Sequence, residues 1–281
     1  MSVVLAQLGG ELRKLFARKR TYIGFAAFLG VEIVVLILLQ LPRVRKGLVR
    51  LLEGAGYGAE EYLSGLTLGL MITLSTVFLL GALYLALVAG DVVSKEVEDG
   101  TLRMILSRPI SRLRVLALKF AACLVYTFTL TVFITVTALA AGFLHAGGGG
   151  LFVFAPTEGV FAVYDAASGW GRLALSVPLL ALSLCTITSI GFCFSCLPMK
   201  PAAATIVTLS VLFVDTILKT LPFFSSIRGW FLTAKMNAWV GVFEYRIPWE
   251  AMFEQYTWLL AINATLLVAG AVVFHSRDFK S

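Results

Sequence analysis

The chain carries six apolar runs, each about as long as the hydrocarbon core of a bilayer is thick, which restricts it to folds that cross a membrane. A helix rises about 1.5 Å per residue, so about 20 apolar residues span about 30 Å of lipid. The runs are Thr21–Leu41, Leu66–Gly90, Val115–Leu144, Leu173–Leu197, Pro201–Leu218 and Trp258–His275. Hydrocarbon offers no water to the backbone, so each run must pair its own N–H and C=O groups by forming a helix. A content of 59% apolar and 14% charged residues removes the soluble alternative, whose surface needs more charge. The sequence therefore predicts an all-α polytopic membrane protein with six transmembrane helices.

Ahead of the first run, Leu5, Leu8, Leu12, Leu15 and Phe16 recur at helical spacing, while Glu11, Arg13, Lys14 and Arg18 take the other face. That pattern predicts an amphipathic helix within residues 1–20, lying in the membrane interface. The first run is too long for the apolar part of a cleavable signal and no small-residue cleavage site follows it, so it is expected to remain as a span. The excess of 23 basic over 16 acidic residues sits beside apolar spans and points to orientation in the bilayer, with no nucleic-acid partner. With the amino terminus inside, inner segments hold 14 Lys and Arg and outer segments nine. Both termini are thus expected in the cytoplasm. Arg43, Arg45, Lys46 and Arg50 in the first outer loop run against that trend. All five tryptophans fall in outer loops or at the mouth of the last span. Because Trp prefers the headgroup zone, residues 219–257 are expected as short outer interfacial helices, with Pro222 and Pro248 breaking or starting them. Gly147–Gly150 reads as a flexible stretch of loop.

Residues 91–114 form the charged connection between spans two and three. Asp91, Glu96, Glu98 and Asp99 come first, followed by Arg103, Arg108, Arg112, Arg114 and then Lys119. Gly100 permits a tight turn, and Thr101 is placed to cap a short helix displaying Leu102, Ile105 and Leu106. Pro109 ends that helix, Ile110 follows, and Ser111 caps the third span. A short helix with an apolar edge, held on two spans, suits docking into a soluble partner's groove; an ordinary solvated loop satisfies the same residues.

This stretch resembles the signature of the ABC type-2 permease family: an acidic patch, Glu-x-x-x-Gly-Thr-Leu, then Pro-Ile-Ser-Arg and a lysine shortly after. The matching residues are Glu96, Gly100, Thr101, Leu102, Pro109, Ile110, Ser111, Arg112 and Lys119. The basic amphipathic start, the six spans and a closing Phe274, Arg277 and Asp278 extend the likeness over most of the chain. The resemblance implies a single transmembrane permease domain over 1–281, the membrane-spanning subunit of an ABC exporter in the cell's inner membrane. Two such subunits, identical or different, would work with two cytoplasmic ATPase subunits. The segment from Glu96 to Arg112, with Glu98, Arg103 and Ile105, would be the coupling helix that meets the ATPase. The chain lacks a Gly-x-x-x-x-Gly-Lys motif followed by Ser or Thr, so no cofactor is expected on it, and ATP and Mg belong to the partner.

Glu32 in span one and Asp215 in span five are costly in hydrocarbon, about 2.5–3.5 kcal/mol for an acid at mid-bilayer. Each marks either a transport path or subunit interface, or a structural pairing near a helix end. Gly65 and Gly69 suit close helix packing, and Thr186, Thr188 and Ser189 read as packing contacts. Cys193-x-x-Cys196 reads as apolar thiols within a span, since no second such pair or histidine cluster accompanies it. A membrane-embedded enzyme is the rival reading, yet His145 and His275 are expected on opposite sides of the membrane, away from any buried nucleophile. A non-transporting anchor for a cytoplasmic partner is the other rival.

Overall fold

The computed structural model describes residues 2–106 and 110–277, apart from the side chains of Ser2, Arg103 and Leu106. Helix α1 (Ser2–Phe16) leads into α2 (Lys19–Gln40), the first membrane-length helix. The face carrying the amino terminus is here called the near face. At the far face follow the amphipathic α3 (Pro42–Gly54) and the single turn α4 (Ala59–Tyr62). The second span returns as α5 (Gly65–Thr76), a π turn at Val77–Gly81 and α6 (Ala82–Asp91). Two short helices, α7 (Ser94–Glu98) and α8 (Thr101–Leu106), lie at the near face. The third span, α9 (Arg112–Ala146), then crosses to the far face. There β1 (Leu151–Ala155) and β2 (Val160–Tyr164) pair as an antiparallel hairpin with Leu151 opposite Tyr164. The bundle closes with α10 (Ala166–Cys196), α11 (Pro201–Thr220), a 3₁₀ segment Pro222–Trp230, α12 (Leu232–Met236), a second 3₁₀ segment Asn237–Phe243 and α13 (Trp249–Ser276).

Among the described residues, six helices are long and apolar enough to cross a membrane, in agreement with the six runs read from the sequence. The last begins at Trp249, earlier than its apolar run, because Glu250 and Glu254 extend the helix without interrupting its backbone pairing. Burial separates the helices by position. α10 is buried along most of its length and forms the bundle centre, whereas α2, α11 and α13 show most of their side chains to the outside. On α2 the inward residues are Thr21, Gly24, Phe28, Glu32 and Val35, a helical stripe facing the rest of the chain.

Lipid supplies little drive for apolar helices to associate, so packing and interhelical hydrogen bonds must do so. Glycines let α5 and α9 approach: a Cβ on Gly142 would lie 2.5 Å from the Gly65 carbonyl oxygen and 2.9 Å from the Gly69 amide nitrogen. Thr127, Thr131 and Thr135 each return a hydroxyl to the carbonyl four residues earlier, keeping their polar atoms satisfied on a buried face. The Thr127 and Thr188 hydroxyls meet at 2.7 Å, joining α9 to α10. Gly142→Ala is therefore expected to lower stability by about 1–3 kcal/mol, since backbone rather than a flexible side chain must give way. Thermal unfolding of the detergent-purified chain measures this, and an unchanged midpoint would show that α5 and α9 can separate at little cost.

The glycine run departs from the expected flexible loop. The Gly150 amide donates to the Glu61 carbonyl at 3.0 Å, and a Cβ on Gly149 or Gly150 would meet backbone at 2.5–2.6 Å. Gly149 and Gly150 are a close-packed entry to the hairpin, whereas Gly147 and Gly148 stay open and exposed. The Ser64 hydroxyl donates to the Gly150 carbonyl, and the Phe152 amide to the Thr67 hydroxyl, fastening the hairpin to the second span. Arg172 donates to the Val242, Glu244 and Tyr245 carbonyls, tying α10 to the far-face segment after α12. Trp170, Trp230, Trp249 and Trp258 are exposed in this region, but Trp239 is buried within the protein.

Candidate functional site

Residues distant in sequence converge at the near face on one buried charge. Lys119, in the second turn of α9, is 1% exposed and donates to Glu11 Oε2 of α1 at 2.8 Å. Its Nζ also lies 2.7 Å from Glu96 Oε1 of α7. Lys14 closes the cluster, 2.6 Å from Glu11 Oε1 and 3.6 Å from Glu96 Oε1. Two acids thus face two bases, which offsets the large cost of burying the ammonium. Burial pushes the Glu11 carboxyl up, but Lys119 and Lys14 outweigh it and hold the group below its ordinary 4.5. Burial pulls Lys14 down, but Glu11 and Glu96 outweigh it and raise the group above 10.5. Beside the cluster, Arg20 at the start of α2 pairs with Asp91 at the end of α6.

Helical spacing places these groups. Glu11 and Lys14 are one turn apart on α1, whose Leu8, Leu12, Leu15 and Phe16 pack into the main core. This apolar face meets the protein's own bundle, while Val3, Val4 and Leu5 remain exposed. The Ser195 hydroxyl accepts from the Val93 and Ser94 amides at 2.9 and 3.0 Å, so the end of α10 holds the start of α7. Gly100 takes φ +70, the left-handed turn that permits α8 to fold back. Ser111 caps α9 as expected, accepting from the Arg114 amide at 3.3 Å. Arg112 reaches across to donate to the His275 and Arg277 carbonyls at 3.0 and 2.9 Å. Arg277 in turn donates to the Leu197 carbonyl, and Phe274 is fully buried, so the end of α13 and Arg277 brace the same face.

Three expectations for this segment need correction. Leu102 does not present an outward apolar edge: it is 1% exposed and belongs to the main core. Ile105 is half-buried, and among the described side chains of α8 the exposed apolar one is Met104, at 67%. A six-residue helix has too few turns for periodicity to distinguish an edge facing a partner from one facing its own bundle. Thr101 does not precede α8 as a cap but begins it, and its hydroxyl donates back to the Glu96 carbonyl at 3.3 Å. Glu96 is buried in the charge cluster, whereas Glu98 points outward and pairs with Lys95 at 2.8 Å. Ile110 is half-buried; Pro109, Asp278 and the Arg103 side chain lie outside the described residues.

The two intramembrane acids prove to be paired. Asp215 accepts from the Leu232 amide at 3.0 Å and from the Thr233 amide and hydroxyl at 2.8 and 2.6 Å. It thereby satisfies the free amides opening α12. Glu32 is 2% exposed and accepts from the Thr137 hydroxyl at 2.8 Å, linking α2 to α9 inside the subunit. The four cysteines are buried free thiols. No group of three or more His, Cys, Asp or Glu suited to a metal ion occurs among the described residues.

Glu11 and Lys14 are the members of this cluster that the segment-by-segment reading did not connect to Glu96. The available signal was a pair of opposite charges one turn apart on the polar face of an amphipathic helix, together with a lysine set inside an apolar span. A search of curated proteins returned no match. The family model described as ABC-2 family transporter protein matches residues 10–226, a stretch that contains all four members of the charge cluster around Lys119. With well over half of its length matched and six membrane-length helices, the chain belongs to the ABC-2 transporter family and is a multi-pass membrane component of a transporter.

Proposed function

We propose that this chain is the permease subunit of an ABC exporter, working as one of a pair and driven by a separate ATPase that docks on α7 and α8. The observation that carries this reading is the mechanical continuity of the near face. Glu96 on α7 is bound through Lys119 to the third span and through Lys14 to α1, while Glu98, Asp99 and Met104 remain exposed. A push on the exposed side of α7–α8 reaches α9 and α1 through the Glu96–Lys119–Glu11 ion pairs and the Leu102 core contact. ATPase closure can shift a transmembrane equilibrium only if the dock binds one arrangement better, and a shift from 1:99 to 99:1 takes about 5.5 kcal/mol of differential binding. ATP and Mg are assigned to the partner; on this chain the coupling residues are Glu98, Asp99 and Met104 at the dock, with Glu96 and Leu102 behind it. The whole chain then acts as one transmembrane domain of the inner membrane, with the near face and both termini cytoplasmic.

Single-cysteine labelling in a cysteine-free background tests this orientation. An impermeant thiol reagent should label Gly148→Cys in intact cells and should reach Glu98→Cys only after the cells are opened. Both positions are exposed, so failure to react cannot be blamed on burial. Labelling of position 98 from outside would place the proposed dock on the wrong side and end the proposal.

A further inference from the structure

The four basic residues that oppose the charge bias at the far face lie on or beside a cavity. A cavity of about 970 Å³ opens where α2 and α9 end, and Arg45, Lys46 and Arg50 of α3 line it together with His145 of α9. Lys46 and Arg50 are one turn apart on the same side of α3, and all three cations are exposed. The ion pairs of the described residues lie at the near face, and none involves these three cations. Glu53 and Glu60 also line it, and Leu48 and Leu68 contribute apolar surface. Depth sets the environment: α2 has 22 residues, about 33 Å of helix, so its end at Gln40 brings α3 to headgroup level.

We propose that this cavity binds the headgroup of a phospholipid carrying both phosphate and ammonium, drawn from the leaflet at the far face. Arg45, Lys46 and Arg50 would receive the phosphate, since guanidinium and ammonium groups form strong charge-assisted bonds to its oxygens. Glu53 and Glu60 would receive the ammonium, and their presence favours a zwitterionic over a purely anionic head. The acyl chains would follow the apolar wall toward α2, whose outward side faces hydrocarbon. The inference depends on the membrane-spanning fold and not on export direction or ATPase docking.

Native mass spectrometry of the full-length chain, released from detergent after delipidation, tests the proposal with phosphatidylethanolamine, phosphatidylglycerol and inorganic phosphate added separately. The wild-type chain should retain one phosphatidylethanolamine, and Arg45→Ala/Lys46→Ala/Arg50→Ala should retain it at least about tenfold more weakly, as expected from loss of charged hydrogen bonds. An unchanged thermal midpoint establishes that the triple variant is folded. If it is not, Glu53→Gln/Glu60→Gln serves instead, and should reverse the preference from phosphatidylethanolamine to phosphatidylglycerol. Equal retention by the folded triple variant would overturn the site. Equally tight binding of inorganic phosphate would overturn the lipid assignment, and a wild-type preference for phosphatidylglycerol would overturn the role of the two glutamates.

Discussion

Replacing Lys119 by methionine is expected to cost about 3–5 kcal/mol, because it removes the ammonium between two buried or half-buried carboxylates. Glu11 would keep Lys14, but Glu96 would retain only the longer 3.6 Å contact. Adding Glu96→Gln removes the stranded charge, so the double variant should recover part of the loss, with a coupling energy of about 0.5–3 kcal/mol. Transport should not recover with it, because the tie from α7 to α9 is then absent in both variants. Thermal unfolding in detergent and efflux from proteoliposomes containing both subunits measure the two effects separately. Strictly additive losses would show that Lys119 and Glu96 act independently, and wild-type efflux by the double variant would show that force does not pass through this pair. The pH dependence follows from the same groups. The Glu11 contribution is present above its ordinary 4.5 and fades as pH falls through its lowered value. The Lys14 contribution is present below its ordinary 10.5 and fades as pH rises through its raised value. Between those limits, the contribution of these two residues should be flat.

Leu102→Asp should fail before any question of docking arises. The side chain is 1% exposed in the main core, so a carboxylate there is cut off from water. Leu→Ala at a well-packed site costs about 2–5 kcal/mol, and burying an unpaired charge adds to that. The six spans should still insert, because Leu102 lies between them, but the near face should not assemble. Met104→Asp supplies the contrast. That residue is 67% exposed, and a surface change of this kind alters stability by about 0.5 kcal/mol or less. It should nevertheless abolish stimulation of the ATPase by the permease, since it places a charge at the proposed dock. Wild-type stimulation in Met104→Asp would locate docking elsewhere, and a normally folded Leu102→Asp would show that the near-face core tolerates a charge.

The six spans were legible because bilayer thickness is a one-dimensional constraint, satisfied by the length and polarity of local runs such as Thr21–Leu41. The cap at Ser111 and the turn at Gly100 were legible for a similar reason, as each depends on a few neighbouring residues. Facing was not legible. Whether Leu102 turns outward or inward depends on the main core that receives it, and a two-turn helix carries no such information. The partners of isolated charges were equally hidden: Glu11 and Lys119 are 108 positions apart, and Asp215 meets amides that follow it by 17 and 18. Local sequence therefore determined what crosses the membrane and where it turns, since hydrophobic transfer and backbone pairing act residue by residue. Only the tertiary structure decided which charges meet and which apolar edge is spent inside the subunit, because those energies exist only once distant helices are brought into contact.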